Sequence, residues 1–160
     1  MRVYVLSKIK FDQLMKENEI TDENVEKKDQ MILISIVDTD KFSKYGEHYF
    51  KEDHENVINL SFDDCEHDNE ASPTQKNKTK AFSEEQAEKL FNFIKKHKDK
   101  KTCVVHCIAG ISRSAGIATF INNYCGGNWE EFKRTNPQIC PNAHVHRMLN
   151  HAKYNDLNIK

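Results

Sequence analysis

Several common signposts are missing from this chain of 160 residues. No run of 18 or more apolar residues occurs, which excludes a membrane-spanning helix on length alone. The five cysteines, at 65, 103, 107, 125 and 140, are odd in number and include no Cys-x-x-Cys pair. That argues against a disulfide framework or a zinc ribbon and for a reducing, cytoplasmic compartment. Charge of one sign is lacking too: 24 Lys and Arg face 25 Asp and Glu. A net charge of −1 supplies no global attraction to nucleic acid or to an acidic membrane, and no nucleic-acid partner is expected. The opening MRVYVLSKIKFDQ holds only a four-residue apolar run, too short for a signal-peptide core, so it reads as a first strand. No internal repeat is found, and the one low-complexity candidate is the polar stretch 66–80. Eight histidines occur, but His144, His146 and His151 read as scattered imidazoles on a solvated helix, not as a metal site.

What remains is a 38% hydrophobic, 31% charged chain, which fits one compact domain over 1–160 with a very polar surface. Residues 3–6, 31–37 (MILISIV) and 57–62 (VINLSF) have the length and residue types of strands. Ile9, Phe11, Leu14 and Met15 suggest a short helix, residues 18–30 a polar surface connection, and 38–55 a long irregular excursion. Ser83, with Gln86 three residues on, forms a capping box ahead of a helix whose Ala87, Leu90, Phe91 and Ile94 share one face. Lys95, Lys96 and Lys98 suit the negative end of its dipole. A buried strand follows at CVV, then a buried helix over 114–125 stopped by Gly126-Gly127. Asn128 and Asn142 are positioned to cap two final helices. Strands alternating with helices predict an α/β fold: a central, mostly parallel sheet of four to five short strands flanked by helices.

The stretch VVHCIAGISRSAG, residues 104–116, concentrates chemistry. Cys107 ends an apolar strand, and five residues, Ile108, Ala109, Gly110, Ile111 and Ser112, separate it from Arg113. Gly110 lets the loop turn through backbone angles that other residues avoid. A tight strand-to-helix loop points successive N–H groups at one spot, and the helix dipole adds to the pull on an anion. The Arg113 guanidinium matches phosphate oxygens. The same donors stabilise a thiolate at Cys107 and make it a nucleophile. Ser114 is placed to hydrogen-bond that sulfur.

HCIAGISRS resembles the signature loop, His-Cys-x5-Arg-Ser/Thr, of the cysteine-dependent protein tyrosine phosphatase superfamily. The length and the runs RVYVLSK, MILISIVD and INLSFDD are similar to its small, dual-specificity-like bacterial members. The resemblance implies that Cys107 attacks phosphorus, that Arg113 and the amides of 108–113 bind the phosphoryl oxygens, and that His106 orients the cysteine. Ser114 would assist hydrolysis of the phospho-cysteine. No metal or cofactor is implied, because the loop and Arg113 supply the electrostatics. The expected partner is a phosphorylated protein, bound by a monomer. The family also uses an aspartic acid on a separate loop to protonate the leaving oxygen. Asp64, in LSFDDCEHD, is the first choice, and Asp63 and Asp68 stay open as alternatives. The adjacent Cys65 raises the question of a redox disulfide with Cys107. Lys76, Lys78 and Lys80 are candidates for attracting substrate to the mouth. Competing readings are a phosphatase for a phosphoinositide or an RNA 5′-phosphate, disfavoured by the lack of basic residues within 108–112, and a phosphopeptide-binding pseudophosphatase, disfavoured by the presence of both Cys107 and Arg113.

Overall fold

The computed structural model describes residues 1–70 and 79–158. Its centre is a sheet of four strands, β1 (Arg2–Ser7), β2 (Met31–Val37), β3 (Val57–Ser61) and β4 (Thr102–Cys107), in the order β1-β4-β2-β3. All three neighbouring pairs are parallel, more regular than the mostly parallel sheet expected. Parallel interior strands are covered on both faces, which explains why MILISIV and TCVVHC read as nearly continuous apolar runs.

Alternate side chains feed two cores. Val3, Val5, Ile32, Ile34, Ile36, Val105 and Cys107 face α2 (Glu84–Lys96), α3 (Arg113–Tyr124) and α5 (Ala143–Asn158). Leu33, Val57 and Val104 face α1 (Lys8–Glu17) and the buried Phe50 of the long 38–55 excursion. The short α4 (Trp129–Thr135) packs on β1 and α3, with Phe132 buried. The capping box at Ser83 and Gln86 forms as expected, and Asn128 and Asn142 each accept a backbone N–H in their own helix's first turn. Helix α3 begins one residue earlier than expected, at Arg113, and its residues up to Asn122 are all buried.

The connection 18–30 is less superficial than its polarity suggests. Ile20 and Val25 are buried there, the latter in a single 3-10 turn, Val25–Lys27. Two isolated apolar residues in a polar run leave no periodic signal, although they anchor the segment under the sheet. No helix among the described residues is long and apolar enough to cross a membrane.

In a parallel sheet all strands end on one edge, and the crevice there is where α/β folds build their sites. Here the ends of β1, β2, β3 and β4 bring Lys8, Asp38, Phe62 and Cys107 to the same edge.

Candidate active site

The loop from Cys107 to Arg113 turns at Gly110, which has φ +69°. A Cβ there would lie 2.5 Å from the Leu6 carbonyl carbon and the Ser7 nitrogen, so the β1–α1 junction admits only glycine. The outer side of the loop is tied down carbonyl by carbonyl. Ile108 O accepts from Lys8 N (3.1 Å), Ile111 O from Cys140 N (2.8 Å) and Ser112 O from Asn142 N (3.0 Å). Gly110 O accepts from the Gln138 side chain (3.3 Å). A trans peptide points its N–H opposite to its C=O, so outward carbonyls leave the loop amides on the concave side. That is the arrangement an anion cradle needs.

Cys107 Sγ lies in this concavity, buried, 3.0 Å from Ser114 Oγ. Burial pushes its thiol up. The Ser114 hydroxyl and amide, the Arg113 charge and the Ile111 amide outweigh that and hold it below its ordinary value. The other buried thiols show the contrast: burial pushes both Cys65 and Cys103 up, and the Thr79 side chain at Cys65 does not offset it. All five cysteines are free, so the Cys65–Cys107 disulfide raised as a question is not formed in this structure.

Arg113 is buried at the start of α3, and its Nη1 donates to Asp38 Oδ1 and Phe62 O, each at 2.8 Å. Asp38 therefore fixes the guanidinium beside the loop. Its role was not anticipated from the sequence; the available signal was an acid directly after the strand that neighbours β4.

The three acid candidates separate by their surroundings. Asp63 is buried and accepts from Thr39 N (3.1 Å), Thr39 Oγ1 (2.5 Å) and Lys80 N (2.8 Å), bonds that pin two chain segments together. Asp68 Oδ1 accepts from Ala81 N at 2.9 Å, a loop-closing bond. Asp64 is exposed at the rim, where its Oδ1 accepts from Ser112 Oγ and Asn142 Nδ2, both at 2.8 Å. Asp64 is thus hydrogen-bonded to the cradle through Ser112. Lys80 is exposed, while Lys76 and Lys78 lie outside the described residues.

His106 is fully buried on the opposite face of β4, under the ring of Phe11 at 4.2 Å between centroids. It contacts Cys107 O through Nδ1 (3.3 Å) and Ser35 Oγ through Nε2 (2.8 Å). Among the described residues no cluster of His, Cys, Asp and Glu is arranged to hold a metal ion; His144 instead bonds Phe82 O at 2.9 Å.

No protein-family model matches the chain, and no curated protein matches it. Among solved structures it is similar to one described as the crystal structure of Tk-PTP in the active form, with 14% identity and a TM-score of 0.42 over 84% of this chain and 86% of that one. A likeness at that level decides nothing about activity, which has to be read from the cradle, the thiol and the arginine themselves.

Proposed function

We propose that the chain, as one catalytic domain, hydrolyses phosphomonoesters through a phospho-cysteine at Cys107, with phosphotyrosine in proteins as the preferred substrate and phosphoserine or phosphothreonine as further ones. The observation that carries this reading is the convergence on one sulfur of a hydroxyl, two backbone amides and a guanidinium charge. The substrate's phosphoryl oxygens lie on the inward amides of 108–113 and on Arg113, which also takes up charge spread in the transition state. The Cys107 thiolate forms the S–P bond as the ester P–O bond breaks, and Asp64 gives its proton to the departing oxygen. Water then attacks phosphorus, losing its proton to the Asp64 carboxylate. The S–P bond breaks with Ser114 Oγ donating to the leaving sulfur. His106 orients Cys107 without exchanging a proton.

The exposed side chain of Ile111 on the loop rim suits an aryl ester, and 108–112 contribute no cation for a second phosphate. The test is hydrolysis of p-nitrophenyl phosphate by the purified protein beside Cys107→Ser and Arg113→Ala. Activity in the wild type and its loss in both variants is the expected result; equal rates in all three would overturn the mechanism.

A further inference from the structure

Ser35 is the only polar side chain in MILISIV, and it is fully buried. A hydroxyl in that position needs partners. It has two: His106 Nε2, directly across in the β2–β4 register, at 2.8 Å, and His48 Nδ1, from the 38–55 excursion, at 2.7 Å. The direction of every bond follows from one end. A carbonyl only accepts, so His106 Nδ1 carries the proton it shares with Cys107 O. Burial pushes His106 down to about 3, so the ring is neutral and Nε2 must accept from the Ser35 hydroxyl. Ser35 Oγ in turn accepts from His48 Nδ1–H. The dipoles of His48, Ser35 and His106 thus all point the same way, toward the Cys107 peptide.

We propose that Ser35 and His48 are positioning residues that lock His106 in its Nδ1–H tautomer and thereby hold the Cys107 carbonyl on the α1 side of the sheet. The trans peptide then turns the Ile108 N–H toward the opposite, cradle side. This rests on the phosphatase reading only for its purpose; the geometry stands without it. The charged groups felt at the two rings are Lys8, paired with Asp12 at 2.8 Å, together with Asp53 at His48 and Arg113 at His106.

Two readouts test the lock, neither of which needs turnover. The nitrogen spectrum of histidine-labelled protein should show His106 protonated at Nδ1 only. Alkylation of Cys107 by iodoacetamide, followed against pH and resolved by cysteine with mass spectrometry, reports its thiolate. Ser35→Ala should mix the two tautomers and lower the Cys107 thiolate fraction at neutral pH roughly three- to tenfold, the size of one lost hydrogen bond. Ser35→Thr, which keeps the hydroxyl, should retain the wild-type profile. His48→Leu should shift it in the same direction as Ser35→Ala, and His48→Asn, whose amide nitrogen replaces Nδ1, should restore it. An unchanged profile in Ser35→Ala, or equal shifts in Ser35→Ala and Ser35→Thr, would overturn the proposal. If the shifts occur in a protein that hydrolyses no phosphoester, the lock stands and the phosphatase reading falls. If hydrolysis proceeds and the shifts are absent, the reverse holds.

Discussion

Ser112 Oγ donates to Asp64 Oδ1 at 2.8 Å, a bond from the cradle to a carboxylate 48 positions earlier in the chain. Asn142 Nδ2 donates to the same oxygen, while its backbone N–H holds Ser112 O and its Oδ1 caps α5. This carboxylate is therefore registered against the loop through two side chains, one of them from a residue whose own backbone holds the loop.

On the proposed mechanism, this arrangement separates proton donation from architecture at Asp64. In Asp64→Asn the amide oxygen still accepts from Ser112 and Asn142, so the rim keeps its shape and loses only its acid. Turnover of a phosphotyrosine peptide should fall about 10²- to 10³-fold, and that of p-nitrophenyl phosphate, with its better leaving group, much less. Asp63→Ala should behave differently. It removes the acceptor for Thr39 N, Thr39 Oγ1 and Lys80 N. A stability loss of roughly 1–3 kcal/mol in urea unfolding is expected, with no change in leaving-group dependence.

Asp38 acts through Arg113. Removing it leaves a buried guanidinium whose Nη1 keeps its bond to Phe62 O and loses its charged partner, free to swing from its place beside the loop. Asp38→Ala should weaken competitive inhibition by inorganic phosphate by about tenfold, the order of one charge-assisted hydrogen bond, while Asp38→Asn recovers part of it. An inhibition constant unchanged in Asp38→Ala would show that the guanidinium is held without its help.

Gly110→Ala tests the shape of the cradle. The added methyl meets the Leu6 and Ser7 backbone, where nothing flexible can yield, and φ +69° strains any L-residue. Destabilisation of about 1–3 kcal/mol or more is expected, and phosphate binding should be lost even where the variant folds. Gly126→Ala is the control. It shares the positive φ but has open space around its Cβ, and it should cost stability alone.

How legible all this was depended on how the chemistry is spread along the chain. Cys107, Arg113 and Ser114 lie within eight consecutive residues, and the strand before them and helix after them are strongly apolar, so the loop between them was readable as a unit. The alternating strands and helices likewise announced an α/β fold, expected with four to five strands and formed with four among the described residues. The supports were not readable, because they arrive from elsewhere. Asp38 comes from the end of β2, Ser35 from its interior, and His48 from a loop with no periodic signal. Gln138, Cys140 and Asn142, around the prolines at 137 and 141, form a strap that ties three loop carbonyls, with no local pattern that announces it. The order β1-β4-β2 is what brings these segments together, and no local pattern encodes it.

Two imidazoles on this side of the sheet, the buried His106 and the half-buried His48, also set how the fold responds to acid. Burial, reinforced by the Lys8 charge, pushes His48 down to about 4, and burial pushes His106 down to about 3, from an ordinary value of 6.5. Below that ordinary value the unfolded chain takes up protons that the folded one refuses, so stability falls as pH drops through the window from 6.5 to about 4 for His48 and to about 3 for His106. For His106, the more buried of the two, the full slope is about 1.4 kcal/mol per pH unit. The Cys107 thiol contributes with the same sign in a higher window. Its folded value is held below the ordinary 9.0, so the stability it lends is present above that value and is lost as pH falls through the lowered one. Urea unfolding of the wild type and of His48→Asn between pH 7 and pH 4.5 separates the contributions. The variant keeps a donor to Ser35 but no longer titrates, so its stability should decline less steeply over that range. Parallel slopes for the two proteins would mean that His48 protonates freely in the folded state and that the acid sensitivity belongs to His106 and the carboxylates.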